Sequence, residues 1–299
     1  MEQTKKAYTD YIQSHFPGTD PEQLQFDFFS DPYSDIISFG DRALKFSRYD
    51  WSAAHLTDEI GAIRLIRPYV DLSLPRLDLL ETGVALRGPV TGEPLPRHRL
   101  LALKNTEQDL IAVQLGIFLK QLRSIPLTQA NRQGLRETVP SREPGFWKKE
   151  YEDLWRKISP YCDESAGEQI RELFWHVWDD PEFLRFTPTV LHGDLIPEHI
   201  RFDPDSRRIC ALTGFGLSRL GDPAEDYASL LAGFGEGFLR RMEKRDEELP
   251  KLIGRARFYA ALRPLRRARE LADRIATRDF SGYRLCLTES DLMPVGFPW

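Results

Sequence analysis

The segment His192-Gly193-Asp194-Leu195-Ile196-Pro197-Glu198-His199-Ile200 constrains this chain more than any other. Thr213-Gly214-Phe215-Gly216 follows it, and then Gly221-Asp222-Pro223-Ala224-Glu225-Asp226. Two short apolar runs, Thr187 to Leu191 and Ile209 to Leu212, border the first loop. Both have the length of a buried strand rather than a helix. The pattern predicts a strand, a polar loop and a second strand, with Asp194 and His199 five residues apart on the loop.

At 299 residues and 41% hydrophobic content, the chain is long enough for one large domain or two lobes around a full core. Its net charge of −5 provides no basic field for nucleic acid or an anionic membrane surface. The first residues carry Lys5 and Lys6 but no apolar run of signal-peptide length, and no stretch approaches a membrane span. A cytoplasmic location is the expectation. Cys162, Cys210 and Cys286 are odd in number and lack paired spacing, which excludes a disulfide framework and a cysteine zinc site. No fixed-period repeat or low-complexity tract is present.

In the first third, residues 36–39 and 42–46 flank Gly40-Asp41, a pair suited to a two-residue hairpin turn. Strand alternation puts Leu44 and Phe46 on one face and Ala43 and Lys45 on the other, so Lys45 opposes the more apolar side. Leu56, Ile60 and Ile63 recur at helical spacing between Ser52 and Pro68, with Asp50 or Ser52 as a cap and Glu59 on the helix. Residues 81–95 combine a short apolar strand with glycines and prolines and read as a hinge. Beyond it Ile111, Leu115, Phe118, Leu119 and Leu122 form a helical stripe capped by Asn105 or Thr106, and Ile170, Leu173, Phe174 and Val177 mark another helix.

The block from His192 to Asp226 resembles the aminoglycoside phosphotransferase and choline kinase-like family. The order is the same: His-Gly-Asp, then Asn or His five residues on, a strand ending in Asp-Phe-Gly, then Gly-Asp-Pro with an Asp three residues later. The resemblance runs from about Phe26 to about Leu231 and implies an α+β, two-lobed protein kinase-like fold. A small sheet-bearing lobe would occupy 1–86, a hinge 87–96 and a larger, mainly helical lobe 97–299. It further implies O-phosphorylation of a small hydroxyl-bearing molecule by ATP or GTP. Phosphoryl transfer needs the phosphates held, their charge neutralised and the acceptor oriented. Asp194 is the expected catalytic carboxylate. Lys45, positioned by Glu59, is expected on the nucleotide phosphates, with Ser34, Leu86 and Arg87 as further nucleotide contacts. His199 is the expected metal ligand or a stiffener of the loop, His192 a loop support, and Asp226 a residue facing the acceptor.

Gly214 departs from this pattern, because it stands where the family places a metal-binding Asp. Magnesium is therefore doubtful, since glycine offers no ligand and imidazole is a poor one for a cation that prefers oxygen. Asp203, Asp222 or Asp226 would have to reach a displaced metal. The segment 29–35, expected to cover the phosphates, contains no glycine and carries Asp31 and Asp35, which would repel them. These departures motivate a second expectation: a catalytically inactive protein of this fold that binds a protein partner. Asp222 is read as the cap of a helix beginning near Pro223. The arginine-rich stretch 254–269 is read as a solvated helix face paired with Glu270 and Asp273, and the tail 294–299 as a docking segment.

Overall fold

The computed structural model describes residues 2–29, 31, 33–135, 142–180, 182–243 and 246–278; Cys286 and the tail 294–299 lie outside them. The N-terminal part begins with helix α1 (Glu2–His15) and strand β1 (Gln25–Asp27). Strands β2 (Ser34–Phe39) and β3 (Arg42–Ser47), helix α2 (Ser52–Ile66), and strands β4 (Leu77–Glu81) and β5 (Val84–Arg87) follow. The strands form one antiparallel sheet in the order β1-β2-β3-β5-β4. The β2–β3 hairpin turns on Gly40-Asp41, with positive φ at Gly40 alone, as a turn with glycine first requires.

Directly paired residues share a sheet face, so the register assigns each side chain. Leu44, Phe46, Ile37 and Val84 pack with Ile12 of α1 and Leu24 in a small outer core, and Leu86 packs against it. On the opposite face Lys45 lies between Ile36 and Ala85, and Arg87 pairs with Ala43. Helix α2 covers this second face and buries Leu56, Ile60 and Ile63 in the main core of the protein. Its first turn lacks a side-chain cap: the Ser52 hydroxyl instead exchanges hydrogen bonds with the backbone of Tyr49.

Strand β6 (Glu93–Pro94) leads into helices α3 (Arg97–Ala102), α4 (Asn105–Arg123), α5 (Leu127–Arg132), α6 (Pro144–Ile158) and α7 (Glu164–Asp179). The cap of α4 is one residue earlier than the sequence suggests, at Lys104, whose N–H donates to the Glu107 carboxylate at 2.8 Å. Four short strands then carry the motif: β7 (Thr189–Leu191), β8 (Ile200–Asp203), β9 (Arg208–Leu212) and β10 (Arg219–Gly221). β7 pairs with β10, and β8 pairs with both β9 and β6. Helices α8 (Ala224–Phe234), α9 (Glu236–Met242) and α10 (Leu249–Arg278) complete the described chain. Among the described residues no helix is long and apolar enough to cross a membrane.

Three of the arginines of α10 reach carboxylates on other elements. Arg255 bonds Asp222 at 2.6 Å, Arg257 bonds Glu236 at 2.6 Å, and Arg266 bonds Glu150 at 3.1 Å. They tie α10 to α6, to the start of α9 and to the loop before α8. The side chains of Glu270 and Asp273 lie outside the described residues.

Candidate functional site

Three contacts bring the candidate residues together. Lys45 Nζ lies 2.6 Å from Glu59 Oε2, so the strand and helix positions form a buried ion pair. Glu59 in turn faces the turn Phe215–Leu217, with its Oε2 4.0 Å from the place a Cβ on Gly216 would occupy. That turn abuts the loop of Asp194, because a Cβ on Gly193 would lie 2.0 Å from the Leu217 carbonyl oxygen. Gly193, at φ +85°, is the residue that permits this approach.

Asp194 keeps its carboxylate partly exposed, while the loop around it is held from below. His192 is fully buried, and burial, aided by the charge of nearby His199, pushes its pKa down to about 3. Its neutral ring donates from Nε2 to the Thr213 carbonyl at 2.9 Å, leaving Nδ1 to accept from Asp194 N at 3.2 Å. That geometry fits the loop-support role expected for His192.

Asp226 does not face an acceptor. Its carboxylate is 1% exposed and accepts from His192 N at 2.8 Å and Gly193 N at 2.9 Å, so both oxygens hold the loop. Burial raises its pKa to about 6, against the opposing pull of those two N–H groups. A carboxyl raised in the fold stabilises it fully below the unfolded value near 4, and that contribution is lost as pH rises through about 6. Asp226→Asn points an NH₂ at a backbone N–H, and is expected to cost roughly 2–3 kcal/mol and to flatten the pH 4–6 slope. Denaturant unfolding across that pH range measures both.

Lys45 has a second partner. Asp31, from the segment expected to cover phosphates, lies 2.9 Å from its Nζ and also accepts from Tyr33 N at 2.8 Å and Ser34 N at 3.0 Å. Burial alone would raise the Asp31 carboxyl, but the charge and hydrogen bonds of Lys45 and the two N–H groups hold it below the usual range. Burial would likewise depress Lys45, and Glu59 and Asp31 together reverse this and raise it. Asp31 thus occupies Lys45 Nζ and the Tyr33 and Ser34 N–H groups, the donors expected to meet a phosphate. Arg48 secures the segment, donating to the carbonyls of Phe28 at 2.6 Å and Asp31 at 3.2 Å and to Asp35 at 3.0 Å.

Among the expected nucleotide contacts, Ser34 is buried on the same sheet face as Lys45, since Ser34 and Ile36 alternate along β2. Arg87 shares that face. Burial and the nearby charge of Arg201 lower its pKa, against Glu59, Asp27 and Asp31. Leu86 has the opposite orientation, because the strand period of two turns its side chain to the outer core.

His199 fills the place where a metal ligand at 214 would sit. Gly214 has φ +79°, and a Cβ there would be 2.4 Å from both Cε1 and Nδ1 of His199. The ring is anchored, Nδ1 donating to the Asp194 carbonyl at 2.8 Å. None of the carboxylates considered as replacements is available: Asp203 caps its own turn through Ser206 and Asp205, Asp222 caps α8 and binds Arg255 and Tyr259, and Asp226 holds the loop. Among the described residues no cluster of three His, Cys, Asp or Glu side chains could hold a metal ion. His199 Nδ1 lies 3.5 Å from Asp194 Oδ2, and with no third ligand beside them among the described residues this pair is a poor fit to magnesium, which prefers several oxygens.

A family model, the Phosphotransferase enzyme family, matches residues 36–271. No curated protein matches the sequence. The fold is that of the GDP complex of wild-type aminoglycoside 2'-phosphotransferase-IIIa, with a TM-score of 0.78 and 23% identity over 93% of this chain and 94% of that one. It is also that of apo macrolide 2'-phosphotransferase MphH from Brachybacterium faecium, with a TM-score of 0.70 and 17% identity over 99% of both chains. With the family model spanning most of the sequence and the kinase-like fold around Asp194, the chain belongs to the phosphotransferase enzyme family.

Proposed function

We propose that this protein transfers the terminal phosphoryl group of ATP or GTP to a hydroxyl of a small molecule presented to Asp194. The observation that carries the reading is the buried Lys45–Glu59 pair at 2.6 Å, linked through the Phe215–Leu217 turn to a partly exposed Asp194. In such a step the acceptor oxygen bonds to the γ-phosphorus, the bond from that phosphorus to the nucleoside diphosphate breaks, and the hydroxyl proton passes to the Asp194 carboxylate. Relatives of the same fold bind GDP, ADP and kanamycin, which supports a nucleotide and a small-molecule acceptor here.

Calorimetric titration with ATP and GTP, each with and without magnesium, tests the first half of this reading. Absence of binding under all four conditions would sink it. Asp194→Asn is expected to leave nucleotide affinity within about twofold and to lower acceptor-dependent turnover by roughly 10²–10⁴. Steady-state assays on the two proteins check this.

A second reading, a non-catalytic member that binds a partner, is favoured by two specific observations. Asp31 sits on Lys45, and the His199 ring stands where position 214 would supply a metal ligand. Nucleotide binding with no turnover for any acceptor would decide for it.

A further inference from the structure

Beyond Asp194, the loop forms one wall of a cavity of about 340 Å³. The wall is a direct continuation of the carboxylate's own turn, with Ile196 N donating to the Asp194 carbonyl at 2.9 Å before the chain reaches Pro197 and Glu198. Ser229 and Gly233 of α8, Arg97 of α3 and Arg263 of α10 complete the lining of this solvent-open groove. Gly233 brings α8 close to the loop, since a Cβ there would be 2.6 Å from Pro197. The lining begins at Ile196, two residues past Asp194 on the same loop.

The charges lining it are uneven. Arg263 donates to the Ser229 hydroxyl at 2.6 Å, and that oxygen donates onward to the Glu225 carbonyl at 3.2 Å. Among the described residues no carboxylate is within ion-pair distance of Arg263, although the other described arginines of α10 discussed above each have one. Burial and the charge of Arg219 lower the Arg263 guanidinium, against the charges of Asp194, Asp226 and Glu225. Arg97 has no ion pair or side-chain hydrogen bond among the described residues, and Glu198, exposed on the rim, is the single carboxylate in the lining. A part-buried guanidinium held in place by a neutral hydroxyl retains donors for a further acceptor.

We infer that the acceptor of this protein carries an anionic group, a carboxylate or a phosphate, received by Arg263 and Arg97 while its hydroxyl meets Asp194. This rests on the phosphotransferase reading for the role of Asp194, and it assigns the substrate class to that site. An amine-bearing acceptor would meet two cations in the cavity, and its charge would be repelled.

The test is direct binding to the full chain by calorimetry, with four hydroxyl-bearing probes: glycerate, glycerol 3-phosphate, glycerol and ethanolamine. Glycerate, glycerol 3-phosphate or both should bind at least about tenfold more tightly than glycerol and ethanolamine, and comparison of the two anions tells carboxylate from phosphate. Arg263→Gln and Arg97→Gln should each weaken the preferred anion by about tenfold. Arg97 lies at the cavity edge and leaves the Ser229 contact intact, so its variant remains informative if Arg263→Gln folds poorly. Ethanolamine binding as tightly as the anions, or anion binding unchanged in both variants, would overturn the inference. Nucleotide titrations run in parallel separate the two claims. Anion binding without nucleotide binding removes the phosphotransferase reading and keeps the anion site, whereas nucleotide binding without anion preference removes only the present inference.

Discussion

Gly214→Asp, introduced alone, is expected to destabilise the protein by about 2–4 kcal/mol rather than to create a metal site. For a chain of this size that corresponds to a fall of roughly 3–6 °C in melting temperature. The backbone contributes some strain, because φ at position 214 is +79°, although Asp visits this region more readily than most residues. The obstacle is the His199 ring, 2.4 Å from the new Cβ and pinned on both sides. Its side chain donates to the Asp194 carbonyl, and its backbone carbonyl accepts from Thr213 N at 2.9 Å. The ring must leave its rotamer, and its hydrogen bond at 2.8 Å is lost. Gly214→Asp combined with His199→Asn should recover at least about 1 kcal/mol relative to the sum of the single changes, because the two positions compete for one volume. Thermal melts of the natural protein, both single variants and the double variant measure that coupling. Strict additivity would mean that ring and glycine do not share the space. A metal ligand at 214 thus requires two coordinated changes.

Asp31→Asn is expected to raise affinity for ATP or GTP by about tenfold or more. The carboxylate takes Lys45 Nζ, Tyr33 N and Ser34 N at once, and a nucleotide phosphate must displace it to reach the same donors. Binding by a minor, open population is weakened in proportion to how rare that population is. The amide keeps an oxygen for the two backbone N–H groups while removing the charge that competes for Lys45. Isothermal titration of the two proteins with each nucleotide is the check, and equal affinities would show that the contact does not stand in the way of phosphate. The pH dependence follows from the lowered carboxyl: its ion pair contributes above the unfolded value near 4 and is lost as pH falls through the lower folded value. At neutral pH the contact is fully formed.

The periodic features were legible in the sequence. The hairpin around Gly40-Asp41, the orientation of Lys45 and its pairing with Glu59 follow from a strand period of two and a helix period of 3.6. The kinase-like fold followed from the motif between His192 and Asp226. What sequence spacing could not give was the direction of a side chain at a junction. Spacing places Asp226 in the cleft, yet it sits in the first turn of α8 directly beneath two loop N–H groups, which claim both its oxygens. Leu86 was expected on the nucleotide, but its register opposite Leu44 turns it outward. Arg263 belonged to a run of arginines that looked uniformly solvated. It differs from Arg255 and Arg257 in meeting a hydroxyl where they meet carboxylates, a distinction set by which helix faces each turn of α10. The collision between His199 and position 214 joins residues fifteen apart in sequence, and only the pairing of β8 with β9 places them together.

The grip of Arg48 gives the phosphate-facing segment an unusual mechanical property. One guanidinium, rooted just past β3, gathers oxygens from Phe28, Asp31 and Asp35, and Asp35 is further tied to α1 by the Tyr8 hydroxyl at 2.8 Å. Most of the latch, Phe28, Asp35 and Tyr8, lies outside the cluster of Lys45, Glu59 and Asp31. The position of Asp31 on Lys45 is thus tied, through Arg48 and Asp35, to α1 as well as to the sheet.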